Sequence, residues 1–568
     1  MLRTLLKDSR TLKRMRRWYR ARVGGYPDWG ALLSHDRARF QSALQSTKSG
    51  PKILIATSVG GHMPGATLES LLAAALTVRG AEVHVLLCDS FLPACLESLV
   101  SWYPDPRRFV RDGPSKDLCK DCFSPADAMY QSLGLPVHRY SEFVTADELQ
   151  KAERVSSTLP VSDLDRYVWD GIAVGEHAKA GALRFFARGN LDGEPYAEPV
   201  LRRYLKAALL TTFAAGRLFK QIRFDCAAFH HGIYVPQGLI GEAARREKVR
   251  VVNWNPAYRK KCFIFSHRDT YHHTLMNEPV ASWEKMAWTP EMEAVLMDYL
   301  KSRWRGTKDW IWFHEKPEED PSAIARELGV DFSRPCIGML TNVFWDAQLH
   351  YPANAFPDMR DWAVRTIAYF SKRPELQLLV RIHPAEIRGT VPSRQPMMDE
   401  LKKAFPVLPE NVFLIPPESR VSTYAAMAKC DAVIIYGTKT GVELTSMGIP
   451  TIVAGEAWIR NKGITLDAAS AEEYFKLLDR LPLAQSLDKA TVERARKYAY
   501  HFFFRRMIPV ENIVPAKGWP PYKIQLSGLD DLKPGRDAGL DLICEGILNG
   551  ADFIYEPERV RAGSGRHE

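Results

Sequence analysis

Nothing in the chain approaches the roughly 18 consecutive apolar residues that a membrane-spanning helix needs, so an integral membrane protein is not expected. The N-terminus lacks the apolar core of a secretory signal, because basic residues interrupt it throughout. Cysteine is scarce, nine in 568 residues, which is too few for a disulfide scaffold. Low-complexity tracts and short internal repeats are absent, and no nucleic-acid-binding motif is recognisable, so nucleic acid is not an expected partner. These absences make the cytoplasm the expected location.

What is present is an ordinary globular composition, 46% hydrophobic and 25% charged. A chain of 568 residues exceeds what one hydrophobic core supports, so two domains of roughly 200 residues each plus extensions are expected. The net charge of +10 is not evenly spread. Between Met1 and Arg22 stand nine Lys or Arg (Arg3, Lys7, Arg10, Lys13, Arg14, Arg16, Arg17, Arg20, Arg22) against one acid, Asp8. Leu2, Leu5, Leu6, Leu12, Met15, Trp18 and Tyr19 interleave with them at spacings that suit an amphipathic helix. Such a segment lies on an anionic membrane surface or packs on the body of the protein; residues 1–24 are the expected contact with the inner face of the cell membrane.

From Lys52, "KILIATSVGGHMPGATLESLLAAALTVRGAEVHVLLCD" reads as strand, glycine loop, helix, glycine turn, strand, a βαβ unit with parallel strands. A helix-rich insertion follows, from about Ala146 to Ile222. Then "FDCAAFHHG" and "VPQGLIGEAARREKVRVVNW" repeat the strand–loop–helix–strand pattern. A second half opens at "RPCIGMLTNVFWDA" and continues through "NVFLIP", "DAVIIY" and "PTIVAG". The expected organisation is a basic N-terminal helical extension (1–50), a Rossmann-like domain (51–276), a linker (277–334), a second Rossmann-like domain (335–484) and a helical tail (485–568). The fold class is α/β, two Rossmann-like domains facing across a cleft. In open parallel sheets, ligands bind beyond the carboxyl ends of the strands.

Two stretches of the second half carry anion-binding chemistry. In "LLVRIHPAE" an apolar strand delivers Arg381 and His383 to a loop that Pro384 turns; a guanidinium fork and an imidazole, which can carry charge, suit a phosphate. In "AVIIYGTKTGVELTSMG" a strand ending at Tyr436 turns through Gly437, Thr438, Lys439 and Thr440 into a helix that carries Glu443. Glycine admits a phosphate to the main chain, the hydroxyls and Lys439 add contacts, and a carboxylate at Glu443 can accept from ribose hydroxyls.

The segment from about Arg334 to Gly463 resembles the donor-binding domain of GT-B glycosyltransferases. It is especially similar to bacterial capsular-polysaccharide biosynthesis transferases with an "HP" motif. The matching residues are Arg381-Ile382-His383-Pro384, Cys430-Asp431, Gly437-Thr438, Gly441 and Glu443, and Gly448-Ile449-Pro450. The resemblance implies that His383 and the glycine–hydroxyl loop hold the nucleotide phosphates and that Glu443 contacts the ribose. Glu386, Tyr436, and Asn342 and Asp346 of "TNVFWDA" complete the expected donor-binding set. The N-terminal half resembles a GT-B acceptor domain less specifically.

On the acceptor side, "TSVGGHMPG" places His62 where a glycine loop enters the next helix, the position of a general base in some inverting GT-B enzymes. The group "FSHRDTYHH" follows a strand-like run, and its His267 and Asp269 are rival catalytic candidates beside Arg268, His272 and His273. Cys88, Cys95, Cys119 and Cys122 fall within 35 residues and, with a terminal C-x-x-C pair, are the candidate ligands of a structural zinc. The resemblance implies metal-independent transfer of a sugar from a CMP- or UDP-linked donor to a growing polysaccharide or lipid-linked glycan. A nucleotide-sugar 2-epimerase of the same fold, and a non-catalytic scaffold of a polysaccharide assembly complex, are the alternative readings.

Overall fold

The structure is a computed structural model and describes residues 10–22, 25–304, 308–310, 317–346, 354–389, 391–483 and 486–558. Residues 1–9 and 23–24 of the basic arm, and Ala347 of "TNVFWDA", lie outside them. Helix α1 (Arg10–Arg22) precedes the first sheet. That sheet is built from β1 (Lys52–Ser58), β2 (Glu82–Leu87), β3 (Val137–Arg139), β4 (Cys226–His230), β5 (Arg250–Pro256) and β6 (Cys262–His267). The second contains β7 (Cys336–Leu340), β8 (Gln377–Arg381), β9 (Val412–Ile415), β10 (Ala432–Ile435), β11 (Thr451–Val453) and β12 (Leu466–Asp467).

The spatial orders are β3-β2-β1-β4-β5-β6 and β9-β8-β7-β10-β11-β12. Counted from each half's own first strand, both read 3-2-1-4-5-6, the order of a doubly wound dinucleotide-binding sheet. The second sheet is parallel throughout, and in the first only β6 is antiparallel to its neighbour β5 among these strands. Parallel strands covered on both faces must be apolar on both. Hence Leu54 and Ala56 of β1 join one layer while Ile53 and Ile55 join the other, against the fully buried helix α2 (Met63–Val78). In β7, Ile337 and Met339 likewise separate from Cys336 and Leu340. Two α/β domains are therefore present, each winding outward in both directions from a point between its first and fourth strands.

Two segments differ from expectation. The linker contributes helix α3 (Pro290–Trp304), whose Leu296, Tyr299 and Leu300 enter the core of the second domain with Tyr498 and Phe503. The tail is not only helical. After the helix Lys489–Tyr500 it returns to the first sheet, where β13 (Ile508–Pro509) pairs with β6, and the helix Ala538–Asn549 buries Leu540, Ile543 and Ile547 in that domain's core. Short apolar stretches such as "IPV" complete a sheet edge that the sequence of the first domain leaves open. Among the described residues no helix is long and apolar enough to cross a membrane.

Candidate active site at the two switch points

Between the first and fourth strands of each sheet the flanking connections leave in opposite directions and open a crevice. In the first domain this point lies between the exits of β1 and β4. Ser58 ends β1 with φ of 55°, in the left-handed region, and the chain turns through Gly60 and Gly61 to His62. A Cβ on Gly60 would lie 2.6 Å from the Cys122 backbone oxygen, which fixes glycine there. His62 stands at the N-cap of α2 but its side chain caps nothing; its Nδ1 lies 3.7 Å from Glu97 Oε1. Glu97 Oε2 in turn accepts from Arg17 Nη1 at 3.0 Å. Burial raises the pKa of Glu97, but His62 and Arg17 outweigh it and hold the carboxylate down at about 2.

The exit of β4 brings a second histidine against the first. The His62 and His230 rings are stacked with centroids 4.7 Å apart, and His231 follows at φ 66°. Strain of this kind persists only where the surroundings impose it. Burial and the neighbouring histidines keep both His230 and His231 neutral, far below the ordinary imidazole range. Their Nδ1 atoms are buried and have no hydrogen-bond partner among the described residues. Beneath them Glu69 Oε1 accepts from Trp254 Nε1 at 3.0 Å, and burial pushes its carboxyl up to about 7. Glu69 is thus a floor for the site and belongs to the core.

The second switch point lies between the exits of β7 and β10, at Thr341–Asn342 and Gly437–Lys439. His383 comes from the neighbouring β8 exit. Its Nδ1 accepts the Ala385 N–H at 3.1 Å, so the ring proton is on Nε2. Burial, Lys439 and Arg381 lower its pKa to about 4, so His383 is a neutral donor. Thr438 Oγ1 and Thr440 Oγ1 lie 3.2 Å apart at the helix entrance. Lys439 Nζ donates to Glu443 Oε1 at 2.9 Å, and Arg303 Nε of α3 lies 3.1 Å from Glu443 Oε2. Burial disfavours the Glu443 carboxylate, yet Arg303, Lys439 and Tyr424 keep it ionised.

Several expected donor residues are occupied inside the domain. Arg381 is buried and donates to Thr423 Oγ1 at 3.2 Å, Pro416 O at 2.7 Å and Ser419 O at 3.5 Å, holding the loop after β9. Glu386 accepts the Met397 N–H with both oxygens, at 3.3 and 3.1 Å, and burial pushes it up to about 7. Tyr436 Oη donates to Phe356 O at 3.1 Å. The Asn342 N–H points at Met359 Sδ, 3.2 Å away, and its buried Oδ1 has no partner among the described residues.

The two switch points meet. Tyr234, after β4, donates to Asp346 Oδ1, after β7, at 2.9 Å. Lys439 Nζ sits 4.7 Å from the Tyr258 ring centroid, and Trp458 packs on both Tyr258 and His272 at 6.2 and 5.2 Å. A continuous histidine and aromatic wall therefore runs from His62 through His230, His231 and Tyr234 to the donor side.

Two expectations are corrected. The group "FSHRDTYHH" does not face the cleft as a unit, because β6 runs antiparallel and His267 lies level with Val252, not beyond a parallel strand end. His267 Nε2 meets Ala551 O at 2.8 Å and its ring stacks on Phe553; Asp269 pairs with His273 at 3.2 Å. Of the group, Tyr271 and His272 reach the cleft wall, Tyr271 against His231 and Trp458 and His272 against Trp458. The four clustered cysteines lie within electrostatic reach of one another, yet among the described residues no group of three or more His, Cys, Asp or Glu is placed to hold a metal. Cys122 Sγ accepts the Gly61 N–H at 3.0 Å, and Cys95 Sγ lies 3.8 Å from Ser98 Oγ. Burial keeps these thiols protonated, Cys122 up at about 12.

Glu97, His230, His231, Tyr234, Tyr258, Arg303 and Trp458 were not singled out from sequence. For His230 and His231 a signal existed, since "FHHG" closes an apolar strand just as "TSVGG" does. Arg303 comes from helix α3 and the others from irregular segments, and only long-range packing reveals their place.

No protein-family model matches the sequence, and a comparison with curated proteins finds no match. Among solved structures, the chain is similar to a Thermosulfurimonas dismutans KpsC, titled beta Kdo 2,4 transferase, at 13% identity over 48% of this chain and 79% of that one, TM-score 0.32. It is similar to a UDP-GlcNAc 2-epimerase from Neisseria meningitidis bound to UDP-GlcNAc, at 10% identity over 79% and 95%, TM-score 0.23. A third is the Streptomyces sp. SF2575 glycosyltransferase SsfS6 complexed with thymidine diphosphate, at 11% identity over 79% and 93%, TM-score 0.23. By its own strand orders the chain is an α/β protein of two Rossmann-like sheets.

Proposed function

We propose that the protein is a glycosyltransferase that moves a sugar from a UDP- or CMP-linked donor to a hydroxyl of a growing polysaccharide or lipid-linked glycan. One observation carries this reading: the Tyr234–Asp346 bond brings the exit of β4, beside His62 and His230, against the exit of β7, beside His383 and the Gly437–Lys439 turn. His62 takes the proton of the acceptor hydroxyl as that oxygen bonds to the anomeric carbon, and the Glu97 carboxylate stabilises the imidazolium that forms. The bond from the anomeric carbon to phosphate oxygen breaks, and its electron pair leaves on the nucleotide. His383 Nε2–H, the Thr438 and Thr440 hydroxyls and Lys439 meet that phosphate, and Glu443 meets the ribose.

The test is release of free nucleotide by the purified protein from UDP- and CMP-linked sugars, with and without a glycan acceptor. Release that needs acceptor, and that falls by about 100-fold or more in His62→Ala, is expected. Isomerisation of the nucleotide sugar without acceptor would replace this reading with the epimerase one. Neither turnover nor nucleotide binding would overturn both.

A further inference from the structure

Helix α1 is mounted inside out. Arg17 turns into the protein, where it pairs with Glu97 at 3.0 Å and lies with its Cζ 5.8 Å from the Trp102 ring centroid. Arg14 pairs with Asp117 on the same side, and Asp117 is shared with Arg108 at 2.7 Å. Met15, Trp18 and Tyr19 stand at i, i+3 and i+4, one helical face, and are 61%, 52% and 56% exposed. A helix packed on a soluble body buries its apolar stripe and solvates its cations. Here two cations are turned inward and the apolar stripe outward.

We infer that this face is a docking surface for an anionic lipid bilayer. The stripe holds a tryptophan and a tyrosine, side chains with an apolar body and a polar tip that suit the headgroup boundary. Arg16 is exposed beside it, and residues 1–22 carry nine cations against one acid, so the charge complements acidic headgroups. The inward face explains why the helix holds its orientation: Arg17 and Arg14 anchor it to buried or half-buried carboxylates, and leave the aromatic stripe presented to whatever lies outside. Through Arg17 and Glu97 the docked helix is tied to the loop that carries His62. A bilayer on this face therefore lies beside the β1 side of the cleft. The inference does not depend on which reaction the cleft performs.

Flotation of the full chain with vesicles tests it. The intact protein is expected to float with vesicles of phosphatidylglycerol and phosphatidylcholine, less with phosphatidylcholine alone, and less as ionic strength rises. Replacing Met15, Trp18 and Tyr19 together by serine is expected to lower partitioning about tenfold or more. Arg16→Glu, which leaves the stripe and the inward pairs untouched, is expected to lower binding to the anionic vesicles. Val161→Ser with Val168→Ser, equally exposed positions elsewhere, should bind like the intact protein. The inference fails if the intact protein ignores anionic vesicles, or if both α1 variants bind them undiminished. It also fails if light scattering shows an intact dimer that the serine variant splits, since the stripe would then be covered by a second copy of the chain.

Discussion

The Tyr234 hydroxyl donates to Asp346 Oδ1 at 2.9 Å, joining the exit of β4 in one domain to the exit of β7 in the other. Tyr234 also packs on His231, centroids 4.9 Å apart, and under the Arg184 guanidinium, 5.1 Å away. Removing the hydroxyl as Tyr234→Phe keeps those ring contacts and loses one hydrogen bond, worth about 1 kcal/mol. The expected result is a several-fold rise in KM for the nucleotide sugar with a smaller change in kcat, because the bond sets how the halves sit before chemistry begins. An unchanged KM would show that the two domains are held by the aromatic wall alone.

Arg381 and His383 should behave as different kinds of residue. Arg381→Ala removes the three hydrogen bonds by which the guanidinium holds the loop after β9 and is expected to cost about 3 kcal/mol of stability, read as a lowered denaturation midpoint. His383→Ala removes the acceptor of the Ala385 N–H and should melt closer to the intact protein than Arg381→Ala does, while nucleoside diphosphate binding by calorimetry weakens. Equal destabilisation of both variants would assign His383 to the architecture as well.

Glu69 predicts a pH dependence of stability. Its carboxyl is raised from 4.5 in the unfolded chain to about 7 in the fold, so between those values the folded state holds the extra proton. The stabilising contribution is therefore fully present below about pH 4.5 and lost as pH rises to about 7. Glu69→Gln keeps an oxygen for Trp254 Nε1 and cannot ionise. It should match the intact protein near pH 4.5 and exceed it at pH 8 by up to about 3 kcal/mol in urea unfolding. Parallel stability–pH curves would place the proton elsewhere.

The cysteines predict an outcome for metal analysis. With Cys122 Sγ already accepting the Gly61 N–H and no described group placed to hold a metal, purified protein should keep its melting temperature in a chelator, and Cys119→Ser should change it little. One equivalent of zinc per chain, released by Cys119→Ser, would show that the thiols converge when metal is supplied.

The α/β class and the two-domain division were legible because parallel strands buried on both faces write continuous apolar runs, such as "AVII" in β10, between glycine loops. The turn after β10 was legible for the same local reason: Gly437, Thr438, Lys439 and Thr440 are consecutive, so the turn itself brings them together. Arg381 was misjudged in role because a strand-end arginine looks the same whether it faces a cleft or the loop after β9. Sequence spacing also could not reveal that β6 reverses direction, which moved His267 to the tail and left His272 at the wall.

The sequence by itself determined the strands, their loops and the basic amphipathic character of the first helix, since propensity and periodicity act within a few residues. Tertiary structure decided what no short window contains. It set the two 3-2-1-4-5-6 orders that make the exits of β1 and β4, and of β7 and β10, into crevices. It put Glu97 beside His62 and Arg303 beside Glu443, pairs separated by 35 and 140 residues. It also chose which face of α1 turns outward, because buried carboxylates at Glu97 and Asp117 claim the arginines and leave Met15, Trp18 and Tyr19 to the surface.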